Sequence, residues 1–190
     1  MKINNSQEKL NNKGFTLVEL IIVMAIMGIM VAVATVTVTM LDSSYVEDAE
    51  RGIKDYISMG RTKSMSVVAK EWYVAIGKED GDYYAYLYKV TEADDGTDKT
   101  SLIEKKELGA KVSISYGNEK ESKMLIGTSK LQMYFNPQTG KIIKVVCDAD
   151  GNGTNDIPDN TTGIGYVGIV RNDYEIDLKV FFNTGKCERE

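Results

Sequence analysis

The chain has 190 residues, of which 43% are hydrophobic, and its 23 basic and 28 acidic residues give a formal net charge of −5. This length suits one ordinary domain with an accessory segment. No histidine is present, which excludes His-based catalytic triads and His-ligated metals and argues against an enzyme. Residues 1–14 hold three lysines and one glutamate, so the remainder carries −7, which argues against nonspecific binding to nucleic-acid phosphates.

Residues 15–41 are apolar apart from Glu19 and several threonines. As a helix rising ~1.5 Å per residue, this segment can cross a ~30 Å hydrocarbon core. The lysines before it predict a single-pass membrane protein with a cytoplasmic amino terminus and an exported remainder. An ordinary secretory signal has a cleavage site of small residues after its apolar region, whereas the candidate junction here, Gly14-Phe15, lies before the apolar run. Cleavage there leaves the helix on the mature chain. The alternative is an uncleaved signal anchor in which Glu19 has no special role.

The string KGFTLVEL at residues 13–20 resembles the type III leader junction of type IV pilins and type II secretion pseudopilins. This resemblance implies cleavage after Gly14 by prepilin peptidase and methylation of the new amino terminus at Phe15. It also implies storage in membrane lipid, passage through an inner-membrane assembly platform and packing with other pilin subunits. Many members carry a proline in the second half of the span, whereas this chain has none before Pro137.

A carboxylate in hydrocarbon is costly unless it has a partner, so Glu19 is a functional residue by default. The partner that the resemblance implies is the amino group of Phe15 on a neighbouring subunit. Pairing would neutralise both charges and fix the axial register of the subunits, as buried polar pairs do in other assemblies. Glu19 is therefore expected to act in assembly.

After the span, apolar residues recur at steps of three and four, which predicts an amphipathic helix. Because no helix breaker intervenes, one helix is expected over about residues 15–69. The predicted organisation is a leader at 1–14, a transmembrane half-helix at 15–41, an amphipathic half-helix at 42–69 and a β-rich head at 70–190. The fold class is α+β and pilin-like, with the helix packed on an antiparallel sheet.

The head contains short β-rich runs separated by turn formers. They predict strands at residues 72–77, 83–90, 111–116, 132–136, 142–147, 164–170 and 174–182, in one sheet or two. The acidic stretch at 91–101 is expected to be a solvated loop. The strings GRTKS at 60–64 and MYFNPQTG at 133–140, with the last strand, are similar to H-type pseudopilins and FimT-like minor pilins. That similarity implies a minor or initiating subunit.

Residues 148–159 read DADGNGTNDIPD, which has the spacing of a calcium loop. A hard cation needs six to eight oxygens, and alternate residues of a tightly curled loop supply them. The alternative is a polar turn, although four carboxylates in one short loop repel each other without a cation. Places 1, 3, 5, 7, 9 and 12 are Asp148, Asp150, Asn152, Thr154, Asp156 and Asp159, with Gly153 at place 6.

The only two cysteines are Cys147 and Cys187. In an exported domain they could form a disulfide, whereas in a reducing compartment they would be buried thiols. Both alternatives remain open at this point.

Strand alternation places Tyr84, Tyr86 and Tyr88 on one face, where packing in the core or between subunits is expected. A DNA receptor would need cations interleaved with such aromatic residues, and only Lys89 is adjacent in sequence. The sequence therefore predicts a noncatalytic filament subunit, a minor pilin or pseudopilin, at the membrane and then in an extracellular filament. The alternatives are a pseudopilin of a type II secretion system, a DNA-uptake receptor and a signal-anchored surface protein that never polymerises.

Overall fold

The computed structural model describes residues 15–66, 69–94, 96–127, 130–148, 155 and 163–190. Within these described residues, a single helix, α1, covers Leu17–Ser66 and is followed by ten strands. The strands are β1 (Glu71–Glu79), β2 (Asp82–Glu92), β3 (Asp98–Glu107), β4 (Ser113–Gly117), β5 (Met124–Leu125), β6 (Leu131–Phe135), β7 (Ile142–Cys147), β8 (Ile164–Arg171), β9 (Tyr174–Phe181) and β10 (Lys186–Arg189). The predicted α+β class, a long apolar helix with an antiparallel β head, is confirmed.

The chain divides into two units, Met1–Met40 and Leu41–Glu190, and α1 contributes to both. In the first unit, every side chain described between residues 15 and 37 is exposed. The apolar window of this helix has a mean hydropathy of 2.8, and none of it is buried. An apolar helical segment whose described side chains are exposed fits membrane anchoring.

The strands form two five-stranded antiparallel sheets. Sheet A has the order β3-β2-β1-β6-β7, and sheet B has the order β10-β9-β8-β4-β5. The Tyr83 hydroxyl on β2 donates to the carbonyl of Ile126, which follows β5, and the amide of Ile142 on β7 donates to the Phe182 carbonyl at 2.9 Å. The question of one or two sheets is thus answered, because hydrogen bonds join two separate sheets into one head.

One face of α1 packs into the core of the second unit through residues spaced three or four apart, as a helix buried on one side requires. These residues are Val46, Ala49, Ile53, Tyr56 and Ile57. The inner faces of both sheets complete the same cluster. At Gly60, an added Cβ would lie 2.7 Å from Phe135 Cε2 and 2.8 Å from Val74 Cγ2, so glycine permits the helix backbone to touch sheet A.

The prediction of a solvated loop at residues 91–101 is wrong over most of its length. Strand β2 continues to Glu92 and β3 begins at Asp98, so the connection covers only residues 93–97. Almost every residue of β3 is exposed, because β3 is the edge strand of sheet A. Such a strand needs no apolar alternation and often carries charges that discourage edge pairing. The short strands β5 and β10 were also not predicted.

A buried carboxylate fixes the start of the second unit. Asp42 on α1 accepts hydrogen bonds from Arg171 Nε at 2.6 Å and from Asn172 Nδ2 at 2.7 Å. The same guanidinium lies 4.1 Å from the ring centre of Tyr45. Asn172 adopts a φ of 51°, a left-handed conformation that asparagine tolerates, in the turn between β8 and β9. This cluster therefore holds α1 to the β8–β9 turn.

The Asp42 cluster predicts acid sensitivity. A hydrogen bond from Asn172, and to a smaller extent one from Arg171, holds the pKa of Asp42 below its usual value of ~3.9. Because the folded state has the lower pKa, the ionised carboxylate contributes stability that is present above about pH 4 and is lost as the pH falls through the folded-state pKa. Thermal unfolding of the full chain in detergent should show Asp42→Asn well below wild type at neutral pH, with the gap closing in acid.

A matched control is Asp48→Asn, which changes an exposed carboxylate that pairs at 3.1 Å with the exposed Arg51. Exposed pairs of this kind contribute little, so its Tm should follow wild type at both pH values. An Asp42→Asn gap of the same size at about pH 3 as at neutral pH would contradict the linkage.

Candidate functional site at the start of the apolar helix

Glu19 closes the first turn of its own helix. Its Oε2 accepts a hydrogen bond from the Thr16 amide at 2.9 Å and from the Thr16 hydroxyl at 2.9 Å. In return, the Glu19 amide donates to Thr16 Oγ1 at 3.2 Å. Thr16 is the residue before the helix and Glu19 is the third residue within it, so the pair is a reciprocal capping box. The carboxylate is thereby held at the very beginning of α1.

This arrangement places a negative charge where the helix needs one. The first amides of a helix have no intrahelical acceptor and carry partial positive charge, so a carboxylate there is favourable. Phe15 stands immediately before the capping box with 86% of its surface exposed. In the uncleaved chain the Phe15 nitrogen belongs to a peptide bond, and hydrolysis after Gly14 would convert it into a charged amine. Gly14 itself lies outside the described residues.

Thr16 was missed as a site residue, although the sequence contains its signal. A threonine followed three residues later by glutamate, directly before an apolar run, is the sequence pattern of a capping box. The pattern was hidden because Glu19 was interpreted only as an acid in hydrocarbon. The structure gives it a local partner as well.

The proposed calcium loop is described at two residues. Asp148, place 1, directly follows β7, and Asn155, place 8, folds back onto that strand. Asn155 Oδ1 accepts a hydrogen bond from the Cys147 amide at 2.9 Å, and its Nδ2 donates to the Val145 carbonyl at 3.4 Å. The other five proposed ligands lie outside the described residues, namely Asp150, Asn152, Thr154, Asp156 and Asp159. Within the part of the chain that the structure describes, no group of three or more acidic or cysteine side chains could hold a metal ion.

The two cysteines are placed on different sheets. Cys147 is buried on β7 of sheet A, and Cys187 lies on β10 of sheet B. No disulfide joins them in the structure. Burial raises the pKa of the Cys187 thiol to about 12, so little of the thiolate needed for disulfide exchange is present near neutral pH. Cys147 is thus a buried thiol and Cys187 a partly exposed one, and the disulfide between them stays a prediction.

Comparison with known protein families identifies the amino-terminal segment. Residues 9–35 match the family model for the prokaryotic N-terminal methylation motif. No curated protein and no solved structure matches the chain. The matched residues include the capping box and end within the apolar helix, so they do not extend into the head. The resemblance of the head to H-type pseudopilins and FimT-like minor pilins receives no support.

The match supports a precursor of the type IV pilin or pseudopilin kind. A leader of this kind implies processing by prepilin peptidase and assembly with other pilins. It also indicates a structural subunit in preference to an enzyme. Together with the exposed apolar helix, the leader fits membrane anchoring.

Proposed function

We propose that this chain is a structural subunit, a minor pilin or pseudopilin, of a type IV pilus-like filament. The precursor resides in the membrane with its amino terminus in the cytoplasm. It is cleaved after Gly14 and methylated at Phe15. An inner-membrane platform then moves the mature subunit into an extracellular filament, where α1 packs among the helices of other subunits. The head carries the surface of the filament.

The observation that carries this proposal is the capping box at the start of α1, followed by a helical segment whose described side chains are all exposed between residues 15 and 37. Thr16 holds the Glu19 carboxylate at the end of α1, beside the position where cleavage creates an amine. One subunit therefore presents an acid and, after cleavage, a base at the same end of an apolar rod. In a filament the acid of one subunit can pair with the amine of the next, and each charge leaves lipid only when it gains a partner.

The proposal predicts where the protein is found. Cells with prepilin peptidase should carry the mature protein in filaments sheared from the surface, and cells without the enzyme should hold the precursor in the membrane fraction. An uncleaved chain that accumulates at the surface in both strains would favour a signal-anchored protein that never polymerises.

A pseudopilin of a type II secretion system remains the closest rival. It would use the same leader, the same helix and the same Glu19, so the difference lies in the partners of the head. Deletion of the protein tests this alternative. If exported substrates then disappear from the culture medium while surface filaments persist, the protein belongs to the secretion system.

We further propose that residues 148–159 bind calcium. The support is the contact between Asn155 and β7, which brings place 8 of the loop back to the residue before place 1, as a curled loop requires. The proposed ligands are Asp148, Asp150, Asn152, Thr154, Asp156 and Asp159. Extracellular calcium modules bind weakly, with Kd of about 10⁻⁴ to 10⁻³ M.

Calcium at about ten times Kd should stabilise the folded chain by about 1.4 kcal/mol and raise its Tm by roughly 3–6 °C. Differential scanning fluorimetry of the full chain in detergent, with and without calcium, measures this shift. Asp150→Ala should abolish it. Asp94→Ala, which removes an exposed acid from the β2–β3 connection, should retain it. An unchanged Tm in wild type would remove the calcium site.

A further inference from the structure

The outward face of sheet A carries five tyrosines in one continuous row. Strand alternation places Tyr84, Tyr86 and Tyr88 of β2 on this face, as expected from the sequence. The register adds Tyr73 of β1 opposite Tyr88, and Tyr134 of β6 opposite Tyr73. None of the five belongs to the buried core cluster. These five residues are called the tyrosine row below.

The rings of the tyrosine row contact one another from end to end. Tyr84 and Tyr86 have ring centres 6.3 Å apart, and Tyr86 and Tyr88 are 6.0 Å apart. Tyr73 stacks on Tyr88 and on Tyr134, at 4.8 Å in each case. Aromatic pairs at these distances stabilise each other beyond the area they bury. The row is therefore a rigid surface with most of its side chains fixed in advance.

Lysines from neighbouring segments cover the ring faces. Lys130, which precedes β6, reaches across β1 at Gly77, where an added Cβ would lie 2.6 Å from its Cγ. Its ammonium also donates to the Tyr88 hydroxyl at 3.0 Å. The sequence placed only Lys89 beside the tyrosines because the interleaving lysines come from other segments of the chain. The distances from ammonium to ring centre are 4.1 Å for Lys105 over Tyr84, 3.8 Å for Lys130 over Tyr86 and 5.3 Å for Lys144 over Tyr134.

The lysines differ in how their charge is balanced. Lys105 pairs with Glu79 at 2.8 Å, and Glu79 also accepts a hydrogen bond from the Tyr86 hydroxyl at 2.6 Å. Across the described residues, neither Lys130 nor Lys144 has a carboxylate within 4.0 Å. Glu79 lies close enough to Lys130 to feel its charge but forms its ion pair with Lys105. A face with fixed aromatic rings and two ammonium groups that form no ion pair among the described residues is suited to a surface that brings carboxylates.

We propose that the tyrosine row, with Lys130 and Lys144, is the contact surface for the acidic head of the adjacent subunit in the filament. This inference rests on the proposed function and names the surface through which heads meet. The head of a neighbouring subunit that resembles this chain is acidic too, because this chain carries a net charge of −7 after residue 14. Tyrosine is enriched at protein interfaces, and charge complementarity fixes register and excludes wrong partners.

The size of the surface fits a contact within a polymer. Four of the five rings are partly exposed, whereas Tyr86 is buried beneath the lysines. Four partly exposed tyrosines offer at most roughly 300 Å² in all, well below the roughly 800 Å² per partner of a standard interface. Such a contact would not hold two soluble heads together. It becomes effective when the helices of the two subunits already hold the heads close, because tethering raises the effective concentration.

Photo-crosslinking in native filaments tests the surface. Benzoylphenylalanine replaces Tyr84 or Tyr134, the two ends of the row, or Phe181 on the outward face of sheet B as a matched control. Irradiation should join this chain, from either end of the row, to a second polypeptide whose precursor had a leader of the same kind and whose amino terminus has been processed. Mass spectrometry identifies that polypeptide. Phe181 should give no such product.

Charge reversal tests the lysines. Lys130→Glu with Lys144→Glu should lower the yield of crosslinked product about tenfold or more, because like charges then face each other. Lys179→Glu is the control, since Lys179 also lies over rings, 5.8 Å from the Tyr166 centre, but on sheet B. The Tm of each full-length variant in detergent shows whether it still folds; if the double reversal does not fold, Lys144→Glu alone is used.

The outcomes separate this inference from the proposed function. Filaments that contain the protein but give no crosslink from the tyrosine row would overturn the surface and leave the filament subunit intact. A crosslink to a protein that is not made from a precursor with such a leader would also overturn it, as would lysine-dependent binding of single-stranded DNA. Absence of the wild-type protein from filaments would overturn the proposed function and this surface with it.

Discussion

Glu19→Ala is expected to leave the protein in the membrane and to reduce its incorporation into filaments by at least about a hundredfold, because breaking a buried charge pair leaves the other charge without a partner. In the variant, the amino group of Phe15 on the neighbouring subunit would enter the apolar filament core unpaired. The ratio of filament-bound to membrane-bound protein, measured by quantitative immunoblotting, gives the effect directly.

Two further variants separate the charge of Glu19 from its role as a helix cap. Glu19→Gln keeps an oxygen that can accept the two hydrogen bonds from Thr16 but removes the charge. Thr16→Val removes the hydroxyl and keeps the carboxylate. We expect Glu19→Gln to behave like Glu19→Ala, and Thr16→Val to assemble with only a modest loss. Normal assembly of Glu19→Gln would show that capping, not charge pairing, is what the filament requires.

Gly60→Leu is expected to destabilise the head by about 3 kcal/mol, because added carbon atoms in a well-packed core force its neighbours apart. The Cβ alone would approach Phe135 and Val74 more closely than side-chain carbons normally do. For a chain of this size the Tm should fall by roughly 6–12 °C. Thermal unfolding of the full chain in detergent measures the loss.

The control for Gly60→Leu is Ser58→Leu, which adds a similar side chain at an exposed position of the same helix. Surface substitutions of this kind usually stay within about 0.5 kcal/mol of wild type. A double-mutant cycle of Gly60→Ala with Phe135→Leu should show coupling, since the smaller side chain makes room for the new methyl group. Equal unfolding of Gly60→Leu and wild type would mean that α1 does not pack against sheet A at this point.

Local patterns predicted those parts of the fold in which burial alternates regularly. The apolar run before residue 41, the helical spacing after it and seven of the ten strands follow from periodicity alone. Strand β3 could not be predicted in this way because it is exposed on both faces. The boundary of the acidic loop was therefore placed too far into β3.

The features that depend on tertiary structure could not be predicted from the sequence. Asp42 and Arg171 are 129 residues apart, and no local pattern links them. The tyrosine row needs the register that sets Tyr73 between Tyr88 and Tyr134, and its lysines come from three different segments. Thr16 is the opposite case, since its signal was present three residues before Glu19 and needed only to be interpreted as a cap.

The central claim is that the apolar helix stays on the mature chain and begins at a charged, methylated Phe15 beside Glu19. Intact-mass and amino-terminal mass spectrometry of the protein from its native membrane or filament tests this directly. The account predicts a chain that starts at Phe15, carries one methyl group on its amino nitrogen and retains residues 15–41. A mature chain that still starts at Met1, or one that has lost the apolar helix, would contradict it.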